Sequence, residues 1–279
     1  MMKTALKALV FFLLATGYSL AQGQNPLFYP KGDPAKWNAE ITPFLWLPVI
    51  SGEVSSKRLT EDFNIPVVDV LGNLKMAFMI NAEVSKGHFF ASPTYVYCKL
   101  GSEKVLWTSE SGEKSIVAIP DFKMNIVELI AGGRFRVDDF LIIDPFAGFR
   151  YSNYHLFGSV EGPLDTTSFD ASTDFWDPVI GFQIWYFPHP RVPICLKTDV
   201  GGFGVGSTLS WTALLYSGYT ISPSFDLLAG FLAYGSDFKR ENSLGNTIGL
   251  NMVMYGFDLG LRYHIPKRIK DKSVFKKTK

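Results

Sequence analysis

In the last strand-like run of the chain, Phe257, Leu259, Leu261, Tyr263 and Ile265 alternate with Gly256, Asp258, Gly260, Arg262 and His264. A period of two is the spacing of an extended strand whose two faces meet different surroundings. Leu209, Trp211, Ala213, Leu215, Tyr219 and Ile221 keep the same rule against Ser210, Thr212, Gly218 and Thr220, with Ser217 as the one polar interruption. A charge at alternate inward positions is foreign to the core of a soluble sandwich. It is ordinary in the lumen of a barrel whose outer face meets lipid. The pattern predicts an all-β fold, a single antiparallel transmembrane β-barrel with an aromatic-flanked apolar belt.

Runs of this kind lie near residues 37–49, 75–86, 89–101, 118–137, 140–155, 175–187, 193–204, 208–221, 225–238 and 248–265. That makes ten strands, an even number, as single-chain bacterial barrels have, with twelve as the rival count. Tight turns at Lys86-Gly87-His88, Val137-Asp138-Asp139, Pro188 to Arg191 and Ser222-Pro223-Ser224 alternate with long polar links near 51–74, 102–117, 156–174 and 239–247. Val205-Gly206-Ser207 is the one short link on the long side. Periplasmic turns are short and outer loops long, so both termini are expected in the periplasm. The apolar segment Val67 to Leu74 reads as a further strand or as a short helix folded into the mouth.

Several classes fall away on composition. Beyond the first residues no run of 18 apolar residues exists, although 47% of the chain is hydrophobic and 15% aromatic, so membrane-spanning helices are excluded. Lys3 and Lys7, the apolar run Ala8 to Ala15 and the small residues Ser19 and Ala21 predict a cleaved signal peptide over residues 1–21, leaving the barrel over 22–265. Residues 266–279 hold seven Lys and Arg against Asp271. Taking these and Lys3 and Lys7 from the 27 basic residues leaves 18 in the body, against 25 acidic ones, a net of −7. No basic surface for nucleic acid remains. The tail is expected to be a solvated periplasmic segment, or one that meets anionic lipid or cell-wall material. Cys98 and Cys195 are read as falling on opposite sides of the wall, without a disulfide.

With parity assigned, the candidate lumen charges are Glu128, Arg134, Asp144, Arg150 and Asp177, followed by Lys197, Asp199, Asp226, Asp258 and Arg262. Glu40, Lys75, Glu83, Lys99 and Arg136 fall on the same parity. Buried charges persist when paired, so the plain expectation is a lumen closed by ion pairs across strands, and the functional one a narrow polar conduit. The glycine-rich run Asp199 to Ser207 lacks the spacing and the following helix of a phosphate loop. His155 ends one strand, and Asp174 and Asp177 begin the next. Such a hairpin could pair an imidazole with a carboxylate at the rim, as omptin proteases do, but the second acidic pair of those ten-stranded enzymes is missing. No enzyme, cofactor or metal is expected, since the four histidines are scattered.

Asp199-Val-Gly-Gly-Phe-Gly-Val-Gly-Ser followed by Trp211, Trp176-Asp-Pro-Val-Ile-Gly181, and Ile41-Thr-Pro-Phe-Leu-Trp46 resemble a broad set of Gram-negative outer-membrane β-barrel proteins of uncharacterised activity. Asp258, Gly260, Tyr263 and Ile265 resemble the assembly signal of such barrels, with Ile265 where an aromatic is usual and a basic tail beyond it. The resemblance implies the cell outer membrane as location, and its lipids, lipopolysaccharide and the barrel assembly machinery as partners. The function expected is a structural or surface-interaction barrel with a plugged lumen. The alternative is a narrow channel for small or lipophilic solutes, and a rim hydrolase is the remote third.

Overall fold

The computed structural model describes residues 35–56, 59–101, 105–108, 114–117, 121–138, 140–161, 166–189, 191–241 and 247–265. The expected signal segment 1–21 and the basic tail 266–279 lie outside these residues. Ten antiparallel strands form a closed ring. They are β1 (Asn38–Ser56), β3 (Leu74–Lys86), β4 (Phe89–Leu100), β7 (Asp121–Gly133), β9 (Leu141–Glu161), β10 (Thr166–His189), β11 (Val192–Gly202), β12 (Leu209–Ser222), β13 (Phe225–Glu241) and β14 (Thr247–Ile265). The seam between first and last strands runs from Ala39 opposite Ile265 to Ser56 opposite Ile248. Short strand β2 (Leu59–Ile65) pairs with β1, β6 (Lys114–Val117) and β8 (Phe135–Arg136) pair with β9, and β5 (Val105–Thr108) pairs with β6. The segment that could be strand or helix is α1 (Val67–Gly72).

Outward positions carry the apolar residues, with Phe257 71%, Phe149 60% and Leu259 53% exposed, and Phe257 and Leu259 each lie between buried neighbours on β14. Tyr219 and Tyr263 stand toward the short-turn end of this belt, and Trp211 and Tyr255 toward the other, eight residues away along β12 and β14. At about 3.3 Å per residue and a tilt of roughly 40°, eight residues rise about 20 Å, close to the height of a membrane barrel's apolar band.

The lumen is divided along its axis. Toward the long-link end it is filled by Trp46, Ile50, Met79, Val96, Met124, Met252 and Met254, with Val70 of α1 packed into the same cluster. Charged groups occupy the middle and the short-turn end. This division corrects the parity of β4, where Val96, Cys98 and Leu100 are buried and Lys99 faces outward. Expecting every inward residue to be polar misreads a strand that lines an apolar stretch of lumen. Cys98 and Cys195 therefore both point inward, in different clusters, and neither forms a disulfide. Lys75 and Arg136 are exposed, the first beside a register shift between Leu74 and Met76.

The turn between β11 and β12 makes use of its glycines. Gly202, Phe203 and Gly204 have φ of 90°, 50° and 75°, three successive left-handed residues that only a glycine-rich segment adopts readily. Asp177 on β10 pins the turn by accepting hydrogen bonds from the Ser207 amide at 2.7 Å and the Ser207 hydroxyl at 2.6 Å. Two charge-assisted bonds to a buried carboxylate hold the turn by about 2 kcal/mol or more. Asp177→Ala is expected to speed proteolytic cleavage between residues 203 and 208 at least tenfold while leaving the barrel's unfolding temperature nearly unchanged. Equal cleavage rates would show that the turn is held by other contacts.

Candidate functional site

Register decides which inward charges meet. Glu128 lies directly opposite Arg150, and Asp199 opposite Thr212. At this middle level the Arg150 Nη2 donates to Glu128 Oε2 at 2.5 Å, Asp199 Oδ1 at 2.6 Å and Thr212 Oγ1 at 2.8 Å. Lys197 Nζ donates to the other oxygen of Glu128. The guanidinium also sits 5.3 Å from the Tyr234 ring centre, a cation–π contact.

Two further groups occupy the short-turn end. Glu40 and Glu83 are directly opposite each other on β1 and β3, a like-charge pair that costs stability unless each carboxylate has its own cation. Arg134 takes Glu83 at 2.8 Å and Asp144 at 2.8 Å, with its guanidinium over the Phe90 ring. Arg262 takes Glu40 at 3.4 Å, donates to the Tyr216 hydroxyl at 2.5 Å and lies over the Trp185 ring. His264 reaches Glu40 at 3.2 Å and Asp226 at 2.8 Å through its two ring nitrogens, and the Thr220 hydroxyl donates to Asp226. His264 shares the inward parity of Arg262, which is the one sequence signal that could have singled it out.

Asp258 stands apart from these groups. It is 9% exposed and has no hydrogen bond or ion pair among the described residues. It lines a cavity of about 140 Å³ that reaches from the level of Glu40 and Glu83 to that of Trp46 and Tyr234.

The barrel closes on ten strands around a charged interior and inside an apolar belt. The fold is that of an outer-membrane β-barrel. The barrel is similar in structure to the outer membrane protease OmpT of Escherichia coli, at 14% identity and a TM-score of 0.50, over 88% of this chain and 99% of that one. At that identity the likeness extends to the fold alone. OprG of Pseudomonas aeruginosa aligns at 9% identity over 84% of this chain and 98% of that one, and the Pseudomonas putida toluene transporter TodX at 7% over 85% and 91%. Both have TM-scores of 0.36, too low to bear on this barrel. No protein-family model matches the chain, and no curated protein matches it in sequence.

The rim residues His155, Asp174 and Asp177 are not gathered into one constellation. His155 lies on the outward parity of β9 opposite Ser172, Asp174 stands opposite Asn153, and Asp177 points inward to Ser207. The wall of the barrel separates His155 from Asp177. Among the described residues no group of three His, Cys, Asp or Glu side chains could hold a metal ion.

Proposed function

We propose that this chain is an outer-membrane barrel whose lumen is closed by its own side chains and whose role is structural or exercised at the cell surface. The observation that carries this reading is the filled interior. Asp144, Asp226 and Arg150 are at most 1% exposed, each held by hydrogen-bonded or ion-paired partners, and an apolar cluster that includes Val70 of α1 fills the lumen above them. Hydrated ions crossing such a lumen would have to break paired charges and displace α1. On this reading the short turns and both ends of the ring, Asn38 and Ile265, face the periplasm and the long links face outward. Membrane lipid and lipopolysaccharide solvate the belt. The assembly machinery engages the last strand through Asp258, Gly260, Tyr263 and Ile265.

Recordings in planar bilayers test this reading. The refolded protein is expected to give no steady conductance steps. Steps that vanish on Arg134→Ala or Asp199→Asn would overturn it in favour of a conducting lumen. A second reading, a passage for small lipophilic solutes, draws on the apolar wall that Phe44, Trp46, Leu228 and Leu232 give the cavity. It expects proteoliposomes to take up a small aromatic solute faster than protein-free vesicles, and the closed reading expects equal rates.

A further inference from the structure

We infer that the lumen cavity is a binding site for a small organic ammonium ion, held between the Asp258 carboxylate and the Trp46 indole. Four carboxylates line the cavity. Glu40 pairs with Arg262, Glu83 with Arg134, and Glu128 with both Arg150 and Lys197. Asp258 has no cation. A buried carboxylate without a partner is costly, and native interiors keep one where something else supplies the counter-charge.

Asp258 lines this cavity together with Trp46, Leu228 and Gly260. Its inward neighbours along β14 are Gly256 and Gly260, and its register partner on β13 is Gly230. The fourth neighbour is Trp46, directly opposite on β1. Opposed side chains on such strands place their Cβ atoms about 5 Å apart, within reach of one bound group. The indole is fixed in place, because its Nε1 donates to the Leu232 carbonyl at 3.3 Å. A carboxylate beside a fixed indole is the pairing that recognises ammonium groups, by charge on one side and by the ring quadrupole on the other. Phe44, Leu228 and Leu232 supply an apolar wall for the rest of the molecule. About 140 Å³ is close to the size of an engineered cavity of about 150 Å³ that holds benzene. A single aromatic ring or short alkyl chain bearing one ammonium therefore suits the site, independently of whether the lumen conducts.

Calorimetric titration of the refolded barrel in detergent with benzylammonium and with neutral benzyl alcohol tests the site. Benzylammonium is expected to bind saturably, at one per barrel and at least tenfold more tightly than the alcohol. Asp258→Asn should weaken it at least tenfold, and Trp46→Phe severalfold. Equal binding of ammonium and alcohol would overturn the inference in favour of a lipophile pocket. Absence of binding by either would overturn it in favour of a hydrated carboxyl. The wild-type comparison needs no variant, so it decides even if Asp258→Asn fails to assemble.

Discussion

Arg150→Met is expected to lower the stability of the folded barrel by about 3–5 kcal/mol, the usual cost of removing one partner from a buried ion pair. The loss falls chiefly on Asp199. Glu128 keeps Lys197, whereas Arg150 supplies the ion pair that Asp199 makes in the lumen. Urea unfolding in detergent, followed by the shift of the folded band in unboiled electrophoresis, measures the effect. Adding Asp199→Asn to Arg150→Met should recover part of the loss, because the second change removes the stranded charge. An unchanged midpoint in Arg150→Met would mean that water reaches Asp199, and would count against the closed lumen.

Phe257→Arg is expected to destabilise the barrel by about 2–4 kcal/mol in phospholipid vesicles, the cost of an arginine on the lipid face near mid-bilayer. Phe257 sits opposite Leu47 and Phe231, between two levels of outward aromatic residues. The same substitution at Tyr263, nearer the rim, should cost at most about 1 kcal/mol. A Phe257→Arg protein as stable as wild type and soluble without detergent would point to a barrel that works in water. The contrast between two outward residues of one strand separates a depth effect from a general intolerance of charge.

The alternation of β12 and β14 was open to inspection because each has a polar inward face and an apolar outward one. β4 was not, because Val96, Cys98 and Leu100 line the apolar stretch of lumen while Lys99 faces out. Polarity marks the inside of a membrane barrel only where the inside is wet or charged. For Val67 to Leu74 the apolar pattern was too short to separate helix from strand, and packing of Val70 against the lumen cluster settles it as α1. The opposition of Glu40 to Glu83 and the isolation of Asp258 depend on register between strands far apart in sequence. No local pattern encodes that register. The parity that places Arg150 and Asp177 inside already sets His155 on the outer face, and what the sequence left open was the register that puts His155 opposite Ser172 and Asp174 opposite Asn153.

The seam between β1 and β14 joins the beginning of the barrel to its end, and Glu40 on the first strand is paired with Arg262 and His264 on the last. These two contacts of Glu40 form only when the final strand is in place. A chain interrupted before residue 262 would lack both of these partners. Completion of the polypeptide is in this way written into its electrostatics.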